Sequence, residues 1–396
     1  MNVVRHRRAI SGYFGVRRAG RFARAALSAA ALGLLAFGSG ASAGALQSGQ
    51  KPPAASRVLI RAVGDVMMHG PQIRAGYVRE SGAYSFRSWF EPVRDLITDA
   101  DLALANLETV LAARERRFTG YPTFNSPAEI AQALKWTGFD VLTTANNHSM
   151  DRGSSGVTAT VSTLDKIGLA HTGTFASQRS RDTPLILNVK GVKIAVLAYT
   201  FSTNGIRVPQ PYLVNRLSLG LVTKDAANAR AAGAEVVIAA IHWGSEYQRK
   251  PNAAQQGQAP KIIAAGVDII FGSHPHVVQP MEWITVGEGK NRRKGVVFYS
   301  LGNFVSNQRG KHKDEGIIAH VELVRSASGV VRIEKASYIP TYVERVGPSG
   351  KYKYRVLAVQ RALETESANP ALLKKLKSAW ESTVGLMNSW KRGGSR

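Results

Sequence analysis

Residues 236–246 read VVIAAIHWGSE, in which a continuous apolar run from Val236 to Ile241 is followed at once by His242, Gly244 and Glu246. An unbroken apolar run of this length is typical of a strand that is buried on both faces. The polar residues after the run would then lie at the carboxyl end of the strand. The stretch therefore predicts a buried strand that ends in a polar loop.

The same kind of apolar run recurs along the chain and alternates with segments of helical periodicity. Six further strand candidates are Val58–Val63, Leu102–Leu107, Val141–Thr144, Ile194–Tyr199, Val267–Phe271 and Val296–Tyr299. The helix candidates are Ser88–Thr98, Pro127–Trp136, Ser155–Ile167, Ala226–Ala232 and Ala254–Ala265. Alternation of buried strands with helices indicates an α/β fold. We predict one such domain at residues 57–345.

Two pairs of strand candidates predict antiparallel neighbours, so we expect mixed sheets. Leu185–Val189 and Val192–Leu197 flank the turn Lys190-Gly191, which is typical of a β-hairpin. Ile317–Val324 and Val330–Tyr338 form a second candidate pair.

The last part of the chain, residues 346–396, is predicted to be a basic C-terminal extension. Its segment Pro370–Trp390 has Leu372, Leu376 and Trp380 on one face, as expected of an amphipathic helix. This helix could pack on the domain or lie on a membrane surface.

The N-terminus has the order of parts of a signal peptide. Residues 1–43 contain seven Arg and no acidic residue, and an apolar run at 25–37 precedes Ala41-Ser42-Ala43. The run is shorter than the roughly 20 residues that span a bilayer, so we expect cleavage after Ala43 rather than a permanent transmembrane helix. Residues 44–56 would be a flexible leader. An uncleaved anchor is the alternative, and both the Sec and the twin-arginine route are open.

The chain is strongly basic, with 52 Lys and Arg against 27 Asp and Glu and a net charge of +25. Without residues 1–43 the balance is 45 to 27, or +18. In an exported, periplasmic or cell-surface protein, possible partners for this charge are an anionic envelope polymer or membrane surface. No nucleic-acid motif is present, so we expect no nucleic-acid partner. The absence of Cys excludes disulfides and thiolate metal sites.

Polar clusters follow five of the predicted strands. They are Gly64-Asp65, Asn106-Leu107-Glu108, Asn146-Asn147-His148 with Asp151, His242 with Glu246, and His274-Pro275-His276. Each alone is weak evidence, because a Gly-Asp after a strand is most often a turn or a helix cap and a lone His is more often a satisfied buried imidazole. In α/β sheets, however, the loops at the carboxyl ends of strands converge on one crevice. The five together therefore indicate a shared functional site.

Carboxylate, amide and imidazole groups form a suitable ligand set for Zn, Mn or Fe. Such ions assist hydrolysis, and pairs about 4 Å apart can clamp the attacking and leaving oxygens of a displacement. His148, directly after Asn147, is then the candidate general acid for the leaving group.

Six motifs together carry a family resemblance. They are GDVM at 64–67, ANLE at 105–108, ANNHSMDRG at 145–153, HWGSEY at 242–247, GSHPHVVQP at 272–280 and YSLGNF at 299–304. This set resembles the CapA or PGA-cap family over residues 59–304. The resemblance implies the calcineurin-like metallophosphatase architecture, a two-sheet sandwich flanked by helices in four αββα layers. It also implies a role in making, exporting or anchoring capsule polymers such as poly-γ-glutamate.

The resemblance also implies roles for individual residues. The implied ligands of one or two divalent ions are Asp65, Glu108, Asn147, His242, His274 and His276, with Glu108 standing where a bridging Asp is usual. The catalytic candidates are His148 and Asp151. The candidates for substrate contact or ligand support are His69, Asn106, Asn146, Glu246 and Asn303.

One position departs from the superfamily pattern. Met67 stands where a ligand His is usual, and His69 lies two residues further on. A single-metal site, or a site that binds substrate without hydrolysing it, is therefore an open alternative.

Two functions are consistent with these residues. The first is a metal-dependent hydrolase-like protein that acts on an anionic envelope polymer or its precursor. The second is a non-catalytic factor that binds the polymer and assists a membrane-bound synthase during export.

Overall fold

The structure, a computed structural model, describes residues 57–349, 351–366 and 368–390. The predicted signal peptide and leader lie outside these residues. None of the described helices has the length and apolar character needed to cross a membrane.

Within the described residues the chain forms sixteen strands and nine α-helices. The strands are β1 (Arg57–Val66), β2 (Tyr77–Val78), β3 (Ala83–Tyr84), β4 (Leu102–Leu107), β5 (Val141–Thr143), β6 (Ala170–Thr172), β7 (Leu185–Val189), β8 (Val192–Thr200), β9 (Val236–His242), β10 (Ile269–Ser273), β11 (Val278–Val286), β12 (Arg293–Leu301), β13 (Asn303–Val305), β14 (Glu315–Arg325), β15 (Val331–Val346) and β16 (Lys353–Ala358). The helices are α1 (Gly70–Gly76), α2 (Arg94–Thr98), α3 (Glu129–Thr137), α4 (Gly153–Ile167), α5 (Gln178–Asp182), α6 (Leu219–Ala231), α7 (Ala253–Ala264), α8 (Val359–Thr365) and α9 (Pro370–Ser389).

The first large sheet has the strand order β16-β15-β14-β1-β4-β5-β6, with β13 also paired to β1. Strands β1, β4, β5 and β6 are parallel, whereas β14, β15 and β16 continue the sheet in antiparallel fashion. In this register Asp65 lies beside Asn106 of β4 and beside Asn303 of β13. Three predicted site residues are thus neighbours across adjacent strands.

The second large sheet has the strand order β11-β12-β10-β9-β8-β7. Its four central strands are parallel, and the hairpins β7–β8 and β11–β12 add one antiparallel strand at each edge. His242 of β9 lies beside Ser273 of β10 and Thr200 of β8. The mixed sheets and the β7–β8 hairpin agree with the pattern in the sequence.

The two sheets pack face to face through alternate residues of their strands. In β1, for example, Val58, Ile60 and Ala62 lie in the core between the sheets together with Ile194 of β8 and Ile238 of β9. The opposite face of the first sheet packs on α3, α4 and the segment 86–97, and that of the second sheet packs on α6 and α7. This is the predicted α/β, four-layer αββα sandwich.

Two helices differ from their predicted bounds. The segment Ser88–Thr98 is not one helix: it forms two 3₁₀ turns, Arg87–Trp89 and Glu91–Val93, before α2 begins. Pro92 explains the break, because proline lacks an N–H and disfavours helical geometry in the residue before it. Helix α6 begins seven residues earlier than predicted, because the Ser218 hydroxyl caps it by accepting from the Leu221 N–H.

The C-terminal helix α9 packs on the sandwich. Its residues Leu372, Leu376 and Ala379 share an apolar cluster with Tyr342 of β15 and Leu357 of β16. The apolar face of α9 is therefore buried against the protein in this structure.

Candidate metal centre

The carboxyl ends of the parallel strands bring the five polar clusters to one place. Asp65 and Asn106 are the penultimate residues of β1 and β4, and Glu108 directly follows β4. His242 ends β9, and His274 directly follows β10. All five side chains are buried. The convergence predicted from strand position is therefore present in the structure.

The side chains form three overlapping groups of potential metal ligands, in each of which the ligand atoms lie within 4.8 Å of one another. The groups are Glu108 with His242 and His274, Glu246 with His274 and His276, and Asp65 with Glu108 and His276. Three residues occur in two groups each, so the groups form one continuous cluster. Asn147 joins it through its Oδ1, which lies 2.9 Å from His242 Nε2.

Three atoms of this cluster are buried without a hydrogen-bond partner among the described residues: both carboxylate oxygens of Glu108 and Nδ1 of His274. Leaving such groups unpaired is costly, and most buried polar atoms in proteins have a partner. Cation binding at Glu108 and His274 would give such atoms a partner. The donor set of carboxylate, amide and imidazole suits Mn, Zn or Fe, so the residues present fit a divalent ion.

The electrostatic environment of the cluster also favours a bound divalent cation. Burial, reinforced by the neighbouring Asp65 carboxylate, raises the pKa of Glu108 well above its ordinary value. Burial also lowers the pKa of His242 well below its ordinary value and that of His274 to about 4, with nearby imidazoles adding to both shifts. Neutral imidazole is the form that binds metals, and a divalent cation would stabilise the ionised carboxylate.

Amide side chains and one imidazole orient Asp65. Asn106 Nδ2 donates to Asp65 Oδ1 at 2.7 Å, and Asn146 Nδ2 lies 3.4 Å from Asn106 Oδ1. His276 Nδ1 lies 2.9 Å from Asp65 Oδ2 and must donate, because a carboxylate only accepts. This leaves Nε2 of His276 as its available ligand atom. Asn106 and Asn146 thus support a ligand in this structure.

Asn303 holds the loop that carries His276. Its Nδ2 donates to the backbone carbonyls of His276 at 3.2 Å and Lys313 at 2.7 Å. These contacts support the loop of His276 from the neighbouring strand β13.

His148 and Asp151 form a buried pair beside the ligand groups. His148 Nδ1 donates to Asp151 Oδ2 at 2.8 Å, and the same oxygen accepts from the Phe124 N–H at 2.6 Å. The Phe124 ring meets the His148 ring edge to face, with centroids 4.6 Å apart. Nε2 of His148 is therefore the ring nitrogen left for chemistry.

His69 lies next to this pair but in none of the three ligand groups. The centroid of the His69 ring lies 5.3 Å from that of the Phe124 ring. Its Nδ1 lies 3.3 Å from Gln72 Oε1 and 3.5 Å from the backbone nitrogen of Asn307. Burial lowers the pKa of His69 to about 4. Met67, at the position of the usual ligand His, is buried.

The backbone at the site is strained. Four non-glycine residues around the cluster have positive φ: Asn204 at 51°, Tyr247 at 64°, His274 at 97° and His276 at 55°. Such conformations are uncommon outside glycine and gather at functional sites, where surrounding structure holds them. Packing around His274 and His276 therefore fixes where their imidazoles lie.

Some supporting residues had no signal in the sequence. Ser273 lies with its Oγ 2.8 Å from Nδ1 of His242, Phe124 packs on His148, and Asn204 accepts from Asn147 Nδ2 at 3.2 Å. Asn204-Gly205 is a turn signal, but nothing local indicates that this turn reaches Asn147.

The chain is similar to capsule biosynthesis proteins of two Bacillus species. It is 30% identical to the capsule biosynthesis protein CapA of Bacillus anthracis and 29% identical to the PGA biosynthesis protein CapA of Bacillus subtilis. These matches cover 65% and 67% of this chain and 62% and 68% of the relatives, so the chain spans less than two thirds of the first relative. A solved structure of Haemophilus influenzae NAD nucleotidase is similar with a TM-score of 0.46 and 14% identity, over 83% of this chain and 60% of that one.

The model of one protein family, described as bacterial capsule synthesis protein PGA_cap, matches residues 59–308. That match covers more than half of the 396 residues and includes all six motifs quoted above. The family predicted from these motifs is thus confirmed, and the chain belongs to the bacterial capsule synthesis protein family PGA_cap.

Proposed function

We propose that this protein is an exported capsule biosynthesis protein that binds one or two divalent ions and cleaves or transfers at an amide or ester of an anionic envelope polymer or its precursor. The polymer we propose is of the poly-γ-glutamate type, as the names of the Bacillus relatives suggest. One observation supports the chemistry most strongly. It is the buried cluster of overlapping ligand groups, in which Glu108 and His274 have atoms without a partner among the described residues.

In this proposal the ligands are Asp65, Glu108, Asn147, His242, His274 and His276, with Glu246 at the exposed end of the cluster. When bound, the metal would supply Lewis-acid activation of the scissile group and of water. The side chains exclude bulk water and present neutral imidazoles. Glu246 is the one exposed member, so substrate would enter from its side.

His148 acts as the general acid in this proposal. Asp151 accepts from Nδ1, which fixes the orientation of the ring. Nε2 then holds the proton that the leaving group takes up. The Phe124 ring, in edge contact with His148, keeps the imidazole in place.

The test is hydrolysis by the purified protein, with Mn, Zn or Fe added, of poly-γ-glutamate and of a phosphoester. We expect turnover of at least one substrate, and we expect His148→Ala to lower it about 100- to 10,000-fold with metal content unchanged. The control is His171→Ala, because His171 pairs with Asp165 outside the cluster. Inactivity of the wild type with every metal and both substrates would count against hydrolysis.

The second candidate is a non-catalytic factor that binds the polymer and assists a membrane-bound synthase. The net charge of +18 without residues 1–43 favours it, as does the name of a Mycobacterium tuberculosis relative, a probable polyglutamine synthesis accessory protein that is 24% identical over 67% of this chain. Polymer binding that weakens with salt but survives His148→Ala would favour this candidate.

A further inference from the structure

Exposed aromatic side chains are concentrated around the metal centre. The large apolar side chains that are exposed in the described part of the chain include only four aromatic ones: Tyr77, Tyr121, Phe201 and Tyr247. Three of these four rings lie against an imidazole of the cluster or against Phe124, which packs on His148. An aromatic ring that is exposed to water does not gain the free energy that burial would provide. Several exposed rings around one site therefore suggest a binding surface.

Each of the three rings touches the site from outside. The Phe201 ring lies 4.7 Å from the His274 ring, and the Tyr247 ring lies 6.3 Å from the His276 ring. The Tyr121 ring lies 6.5 Å from Phe124, which packs on His148. Their exposures are 41% for Phe201, 41% for Tyr247 and 75% for Tyr121. The rings therefore lie next to two candidate ligands and next to Phe124, which packs on the proposed general acid.

A cation accompanies the rings. The Lys313 ammonium lies 3.5 Å from the centroid of the Tyr247 ring, and Gln308 Nε2 donates to the Tyr247 hydroxyl at 3.3 Å. The Lys313 carbonyl accepts from Asn303, which also holds the His276 loop. The position of this ammonium is thus tied to that of the metal ligands.

We propose that Tyr121, Phe201 and Tyr247, together with Lys313, form an aromatic rim that binds an extended, carboxylate-bearing polyamide chain outside the metal centre. Planar amide groups pack on aromatic faces, and the ammonium pairs with a side-chain carboxylate. A chain that repeats an amide and a carboxylate offers both groups in every unit, whereas a small phosphoester offers no amide to the rings. This inference rests on the proposed function, because it assigns the residues that hold the proposed polymer.

The test is binding of a short fluorescein-labelled γ-glutamate oligomer, followed by fluorescence anisotropy, to the protein as purified and after EDTA treatment. The variants are Tyr121→Ala, Phe201→Ala, Tyr247→Ala and Lys313→Gln. The matched controls are Tyr77→Ala, an exposed tyrosine elsewhere, and Lys294→Gln, whose ammonium lies 4.3 Å from the Trp283 ring at the opposite end of the strands.

We expect each rim variant to weaken binding about two- to fivefold or more, with metal content unchanged. The controls should bind as the wild type does. Tyr121 is the most exposed of the three aromatic side chains, so Tyr121→Ala keeps the test informative if Phe201→Ala unfolds. The melting temperature of each variant shows whether it is folded.

Several outcomes would overturn the inference. One is wild-type affinity in all rim variants, and another is failure of the wild type to bind the oligomer at all. A third is equal affinity for an acidic polysaccharide of similar charge density, because the rim would then not select a polyamide. Loss of oligomer binding in the rim variants of a protein that holds no metal would support the rim and contradict only the hydrolase proposal.

Discussion

Glu108 differs from other buried acidic residues of this protein in having no hydrogen-bond partner among the described residues. Glu315 is a useful comparison, because it is also buried but accepts from Ser382 at 2.6 Å, Arg249 at 3.2 Å and His312 at 2.9 Å. A buried charge is tolerated when it is paired and costly when it is not. The position of Glu108 beside Asp65 therefore stabilises a bound cation at the expense of the metal-free fold.

Because of this contrast, we expect a Glu-to-Gln substitution to have opposite effects on the free energy of unfolding at positions 108 and 315. In EDTA, Glu108→Gln should raise the free energy of unfolding by about 1–3 kcal/mol, because a neutral amide replaces a buried carboxylate that lies beside Asp65. Glu315→Gln should lower it by about the same amount, because it breaks a paired one. Glu108→Gln should also weaken metal binding. Urea unfolding of both variants checks the signs, and a Glu108→Gln protein less stable than the wild type would contradict this account.

At the scale of elements, the site depends on close backbone approach between strands. A Cβ on Gly64 of β1 would overlap the backbone carbonyl of Gly302, which lies between β12 and β13. The Asp65 N–H donates to that same carbonyl at 3.0 Å. Glycine at position 64 therefore sets the place of the first ligand.

We predict that Gly64→Ala lowers the free energy of unfolding by about 1–3 kcal/mol, because the clash forces backbone to move. Gly257 provides the control: it lies inside α7, where an added Cβ has nothing within 4 Å. Gly257→Ala should raise stability by about 0.5–1 kcal/mol through helix propensity. If Gly64→Ala left the free energy of unfolding unchanged in thermal or urea unfolding, the strands could move apart without loss of stability, which would contradict this prediction.

The sequence predicted central strands better than short elements. Continuous apolar runs such as Val236–Ile241 identify strands buried on both faces, whereas β13 has only three residues and β16 has the mixed sequence KYRVLA. Helix bounds depended on single residues, as Pro92 and Ser218 illustrate. Strand ends predicted that Asp65 and Glu108 lie at one edge of their sheet and the histidines at one edge of theirs, because parallel strands end at the same edge. That the two edges meet depends on how the two sheets pack together.

The remaining site residues could not be predicted because their contacts join distant loops. Phe124 reaches His148 and His69, and the aromatic rim gathers residues 121, 201 and 247. The local periodicity of a sequence does not indicate which loops meet at the end of a sheet. The sequence shows that these residues exist, but only the packed fold shows that they are neighbours.

At the scale of the whole molecule, the candidate metal centre spans both halves of the sandwich. Asp65, Glu108 and Asn147 belong to the first sheet and the loops after its strands, whereas His242, His274 and His276 belong to the second. The core between the sheets therefore sets the distances among the ligands. A bound ion joins the two sheets and should stabilise the folded state by mass action.

The most direct test is metal content by elemental mass spectrometry, together with melting temperature, for the purified wild type and the His274→Ala, His276→Ala double variant. A His171→Ala, His320→Ala double variant is the matched control, because those histidines pair with Asp165 and Glu322 outside the ligand groups. We predict near-stoichiometric Mn, Zn or Fe, and a melting temperature lowered by EDTA, in the wild type and the control only. Absence of metal from all three proteins after reconstitution, or equal metal in all three, would contradict a metal centre at this cluster.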